Sequence, residues 1–66
     1  MKTEENKVVK AEIVETTPNY KGEGNYNGNV LIELTYVDGT TSQLDYWGEH
    51  SEYDMNVNYA NPKFFN

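Results

Sequence analysis

Cysteine is absent and histidine occurs once, at His50. The chain can therefore build neither a disulfide framework nor a zinc site of thiolates and imidazoles. Arginine is absent too, and five lysines stand against eleven carboxylates, for a net charge of −6. Contacts to phosphate backbones and anionic lipid are made by clustered Lys and Arg, so direct binding to nucleic acid or a membrane surface is not expected. No apolar run approaches the roughly 20 residues that span a bilayer. The start Met1-Lys2-Thr3-Glu4-Glu5-Asn6 is too polar and acidic for a signal peptide, and a cytoplasmic protein is the expectation.

The scarcity of positive charge is also uneven. Between Lys21 and Lys63 there is no Lys or Arg, while the same stretch carries Glu23, Glu33, Asp38, Asp45, Glu49, Glu52 and Asp54. Folded domains usually intersperse both signs, because a field of one sign repels itself and destabilises the compact state. A chain that keeps such a field has a use for it on a positively charged partner.

Sixty-six residues make one domain, and a chain of that size buries only about 60% of the surface exposed by its unfolded form. The core is thin, and a homodimer is one way to add burial. The pattern predicts an all-β fold, a small antiparallel sheet of about four strands. Residues 1–6 and the tail 61–66 are expected as flexible ends, with the adjacent Phe64 and Phe65 calling for some tether.

The first strand is read over 7–17, where Val9, Ala11 and Ile13 alternate with Lys10 and Glu12; Pro18 ends it. Residues 19–28 hold three Gly and three Asn and are expected as a loop. Over 29–37, Val30, Ile32, Leu34 and Tyr36 share one face, giving the best core strand. Asp38-Gly39 then marks a hairpin. A two-residue loop would pair Leu34 with Gln43 and Ile32 with Asp45, placing polar groups on the apolar face. A three-residue loop, 37–39, with Gly39 left-handed in a bulge, instead pairs Tyr36 with Thr40, Ile32 with Leu44 and Val30 with Tyr46. That register is the one expected. It sets Glu33 beside Gln43, Leu31 beside Asp45 and Asn29 near Trp47 on the second face. A fourth strand is read over 52–60 from the alternation of Tyr53, Met55, Val57 and Tyr59 with polar residues. With no helix to cover the sheet, it either curls into a half-barrel or packs face to face with a second copy as a sandwich.

Catalysis finds little support. Glu49-His50-Ser51-Glu52 sets a His beside a Ser and acids, but sequence neighbours do not in general meet in a triad geometry, and His50 is expected as a solvated loop residue. Glu52 and Asp54, about 7 Å apart on a strand, approach a glycosidase spacing, yet so small a chain offers no deep cleft to raise a carboxyl pKa. No catalytic residue, metal or cofactor is assigned. Asp38, Glu49, Glu52 and Asp54 lack the spacing of a calcium loop, and Gly22 to Gly28 lacks the Lys-Ser or Lys-Thr of a phosphate loop.

Six Tyr, Trp47 and two Phe are a rich aromatic supply. Tyr36, Tyr46, Tyr53 and Tyr59 are read as core, and Tyr20, Tyr26 and Trp47 as interface residues. Carboxylates held at strand spacings can imitate the phosphates of DNA. The expected partner-binding set is therefore Glu23, Glu33, Asp38, Asp45, Trp47, Glu49, Glu52 and Asp54, directed at a basic DNA-binding protein.

In its size, acidic balance, cysteine-free β-rich pattern and lysine-led start (Met1-Lys2-Thr3-Glu4-Glu5-Asn6-Lys7), the chain resembles the small early proteins of lytic bacteriophages that act as DNA mimics, among them inhibitors of the bacterial nucleoid protein HU. That resemblance implies occupation of the DNA-binding surface of the HU dimer, and disturbance of the host nucleoid. The alternatives are an inhibitor of another basic target, such as a nuclease or a polymerase subunit, and an assembly domain that dimerises through its sheet face with its acids serving solubility.

Overall fold

A computed structural model describes residues 7–66. Three strands, β1 (Val8–Thr17), β2 (Tyr26–Tyr36) and β3 (Thr41–His50), form one antiparallel sheet in the order β1-β2-β3. A short helix, α1 (Glu52–Asn56), and two 3-10 turns, Asn58–Ala60 and Pro62–Phe65, follow. The small all-β fold is as the sequence predicts.

The hairpin between β2 and β3 takes the bulged register. Val30 pairs with Tyr46, Ile32 with Leu44, Glu33 with Gln43, Leu31 with Asp45 and Asn29 with Trp47. Tyr36 donates its N–H to the Thr40 carbonyl at 2.8 Å, and Gly39 sits at φ +91°, the conformation the turn demands of a glycine. Asp38 accepts from both the Thr40 hydroxyl (2.6 Å) and the Thr40 N–H (3.0 Å), which closes the tip.

The fourth strand does not form. Ser51 caps a helix instead, its Oγ accepting from the Asp54 N–H at 3.0 Å, and Glu52 and Asp54 place negative charge in the first turn, where the helix favours it. Apolar residues at 53, 55, 57 and 59 fit a strand, but Met55 and Tyr59 also fit a helical step of four, and those two are buried while Tyr53 is 63% exposed and Val57 is exposed. Tyr53, expected in the core, is therefore a surface residue. Residues 52–65 lie over the apolar face and supply the cover that a four-strand reading leaves missing, so neither curling nor a second copy is needed to bury it.

Beneath that cover, Val30 and Ile32 are fully buried at the centre of β2, with Val8, Ala11, Leu34, Met55 and Tyr59 around them and Ile13, Tyr36, Leu44, Tyr46 and Phe65 at the margin. An aromatic seam fastens the cover to the sheet. Tyr59 meets Tyr46 edge-on at 5.7 Å between ring centres and His50 at 5.5 Å, and Phe64 continues it at 5.8 Å from Tyr59. The last residue closes the fold: Asn66 accepts from the Val8 N–H (2.8 Å) and donates to the Val8 carbonyl (2.9 Å).

The first strand, the start of the second and Tyr26 also differ from the expectation. The register of β1 slips between Val8 and Lys10 and again between Ile13 and Glu15. Each bulge ejects a valine, so Val9 and Val14 are exposed while Val8 takes the core position expected of Val9. β2 also starts three residues before the predicted strand, at Tyr26, because Gly28 and Gly48 pair across the strands without side chains. A Cβ on Gly28 would stand 2.7 Å from the Thr17 carbonyl oxygen and the Tyr26 hydroxyl. Tyr26 is buried rather than an interface residue, its hydroxyl donating to the Pro18 carbonyl at 2.6 Å.

Candidate functional site

The described residues cover one face of the sheet and leave the other bare. Alternation along the strands and the observed register decide which side chains stand on it. From β1 come Lys10, Glu12, Glu15 and Thr17; from β2, Asn27, Asn29, Leu31, Glu33 and Thr35; from β3, Thr41, Gln43, Asp45, Trp47 and Glu49. Across the strands these read as rows: Glu12 with Glu33 and Gln43, then Glu15 with Leu31 and Asp45, then Thr17 with Asn29 and Trp47. Five carboxylates therefore share a surface of three strands. Trp47 is 77% exposed among them, and Leu31 is half-buried between Glu15 and Asp45.

Glu12 and Glu33 stand directly opposite one another, a like-charge pairing that weakens a sheet. Among the described residues the single cation on the face is Lys10 at its end, 3.9 Å from the Glu12 carboxylate. Both partners are well exposed, and a pair of that kind contributes little. Alternate residues on a strand stand about 7 Å apart and neighbouring strands about 4.8 Å, so the carboxylates are spread over the face. Among the described residues no three acidic or imidazole groups converge on a common point. Such an array meets several separated positive charges better than one metal ion.

Of the residues singled out in the sequence, the structure brings Glu33, Asp45, Trp47 and Glu49 together here. Glu23 lies in the exposed loop between β1 and β2, and Asp38 at the hairpin tip, where the bonds from Thr40 hold its carboxyl below the usual value. Glu52 and Asp54 belong to α1 on the covering segment, with Asp54 accepting from the Asn58 side chain at 2.7 Å. Sequence reasoning missed Glu12 and Glu15, which lie before Lys21 and so outside the lysine-free stretch. The signal was present in β1, where Glu12 alternates with Ala11 and Ile13.

His50 is the second feature of interest, and it is not a solvated loop residue. It ends β3, is 5% exposed, and has both ring nitrogens engaged: Nδ1 lies 2.8 Å from the Tyr59 hydroxyl and Nε2 3.3 Å from the Gly28 carbonyl. A carbonyl only accepts, so Nε2 carries a proton, and in the neutral ring Tyr59 donates to Nδ1. An open cleft of about 330 Å³, lined by Asn25, Tyr26, Asn27, Glu49, His50 and Ser51, opens beside it. The imidazole there is held by Tyr59 and Gly28, and the Ser51 Oγ accepts the Asp54 N–H of its helix cap. Burial, followed by the charges of Asp54 and Tyr46, raises the Tyr59 phenol above its ordinary value.

No helix among the described residues is long and apolar enough to cross a membrane. Comparison with protein families, with curated proteins and with solved structures yields no match to this chain.

Proposed function

We propose that this protein is an acidic decoy that occupies the nucleic-acid-binding surface of a basic protein and blocks it. The observation that carries this reading is the sheet face left uncovered among the described residues, which Glu12, Glu15, Glu33, Asp45 and Glu49 share with the exposed Trp47, Lys10 being the one lysine described there, at the margin. A DNA-binding protein presents Lys and Arg spaced for phosphates. Carboxylates on a rigid sheet engage the same groups by charge-assisted hydrogen bonds, with association that is fast and salt-sensitive. Trp47 adds what phosphates lack, a large flat surface of the kind that dominates interface energetics. The bacteriophage resemblance makes nucleoid protein HU, in a host cytoplasm, the first partner to test.

The test is capture from nuclease-treated bacterial lysate, then competition of the captured protein, and of purified HU, against labelled duplex DNA at two salt concentrations. Displacement of DNA at low salt that weakens at high salt is expected. Failure to displace DNA from any basic protein, together with a stable dimer in solution, would sink the reading in favour of an assembly role.

A further inference from the structure

The two edges of the sheet are treated differently. On β1 the first outward-facing residue, Val8, has its N–H and carbonyl both taken by Asn66, two bulges break the register, and the 3-10 turns lie against the strand. Bulges, covering segments and lysines are the devices by which proteins blunt sheet edges. Among the described residues β3 has none of them. Its register with β2 runs without a slip from Thr41 to His50, and it contains neither Pro nor Lys.

The ladder fixes which of its backbone groups are free. Tyr36 and Thr40 form a hydrogen-bonded pair, and in an antiparallel ladder such pairs recur at every second position. Ser42, Leu44 and Tyr46 therefore turn their amides and carbonyls toward β2. Thr41, Gln43, Asp45 and Trp47 turn theirs away, and among the described residues no hydrogen bond satisfies those outward groups. Gly48, at φ +135°, leaves the ordinary extended conformation after them. The free edge is thus residues 41–47, about 23 Å long at a rise of about 3.3 Å per residue.

We infer that this edge takes up an extended segment of the basic partner as a fourth strand, one in which basic and apolar residues alternate. The inference rests on the decoy reading and names how the partner is held. An added strand would set every second side chain on the open face, beside Gln43, Asp45 and Trp47, where cross-strand neighbours stand about 5 Å apart. A Lys or Arg there pairs with the Asp45 carboxylate and lies over the Trp47 indole, a favourable seat for a cation. The intervening side chains fall next to Leu44 and Tyr46, both half-buried at the sheet margin, and extend the apolar face. Backbone bonds give affinity in such strand addition, and the alternating side chains give specificity. A second copy fits this edge less well. Two copies would each bring a net charge of −6, and antiparallel pairing of two β3 strands centred on Asp45 or Trp47 sets Asp45 opposite Asp45 or Glu49, whereas a basic segment meets these carboxylates with the opposite sign.

The test uses the whole chain and a soluble peptide of four Lys-Val repeats, against a control of the same composition with the lysines in one block. Amide hydrogen exchange is read residue by residue. The amides of Gln43, Asp45 and Trp47 should exchange fast in the free protein and slow at least about tenfold with the alternating peptide only. A chain synthesised with an N-methylated Asp45 amide keeps every bond between β2 and β3, and should bind about tenfold more weakly. Binding of either peptide without protection of these three amides would overturn strand addition while leaving the decoy reading intact. Absence of binding at low salt would overturn strand addition, with the decoy reading decided separately by the DNA competition. Protection of the same amides by self-association of the free protein would make a second copy the occupant and overturn the basic segment.

Discussion

At the scale of single residues, much of the fold depends on groups that look dispensable in the sequence. Gly28 is one, because three neighbours occupy the space a side chain would need: the Thr17 carbonyl and Tyr26 hydroxyl at 2.7 Å and the Pro18 Cδ at 2.9 Å. Two of those belong to backbone or ring and cannot swing aside. Gly28→Ala should cost about 1–3 kcal/mol, the range for overpacking, and loosen His50 from the Gly28 carbonyl; urea denaturation would measure the cost. Tyr59→Phe makes the complementary cut. The ring contacts to Tyr46, His50 and Phe64 remain, but the buried Nδ1 of His50 loses its donor, at about 1–3 kcal/mol for an unsatisfied buried acceptor. The same variant tests the alkaline limb of stability. Since the Tyr59 phenol is raised above 10.0 in the fold, its proton leaves the unfolded chain first. The corresponding stability is fully present below about pH 10 and is lost as pH rises through the folded value. Comparison of wild type with Tyr59→Phe between pH 9 and pH 11.5 should show a shallower loss in the variant; equal slopes would mean that other tyrosines carry the effect.

At the scale of elements, what the sequence made legible and what it hid have distinct causes. The β2–β3 register could be read because one-residue slips move whole faces, and only the bulged turn keeps Ile32 opposite Leu44 and Val30 opposite Tyr46. The covering helix was hidden because Met55, Val57 and Tyr59 satisfy strand alternation as well as Met55 and Tyr59 satisfy a helical step. The deciding signal was Ser51 three residues before Asp54, a capping pattern that outweighs alternation in so short a segment. The bulges of β1 left no local mark, since ejecting Val9 or Val14 looks in sequence like any run of valine beside a core residue. As for the site, three of the seven expected acids, Glu33, Asp45 and Glu49, reached the open face, because charge segregation along the chain says nothing about which side of a sheet each one takes. If the cap is what selects helix over strand, Ser51→Ala should destabilise the fold by about 1 kcal/mol and speed amide exchange at Met55 and Val57, whose N–H groups bond back to Ser51 and Tyr53. Unchanged exchange there would place the stability of α1 in the burial of Met55 alone.

For the whole molecule, the acidic face has opposite consequences for the free and the bound states, and salt separates them. The described residues extend 35 × 18 × 17 Å. At 0.01 M salt the Debye length is about 30 Å, so every carboxylate on the face feels the others, whereas at 0.15 M it is about 8 Å and only neighbours interact. Self-repulsion destabilises a compact state of high net charge, and Glu12 opposite Glu33 concentrates it. The free protein should therefore become more stable as salt rises over that range, while its hold on a basic partner weakens. Joint replacement of Glu12, Glu15, Glu33 and Glu49 by Gln and of Asp45 by Asn should abolish both trends: urea stability at low salt should rise by about 1 kcal/mol or more, and displacement of DNA from the partner should disappear. Glu52→Gln, on the covering segment, serves as the control and should leave displacement intact. A variant neutralised on the face that still displaced DNA at full strength would move the binding surface to the carboxylates of the loop, the hairpin tip and the helix. A variant that lost displacement without gaining stability would show that the acids bind the partner but do not strain the free fold.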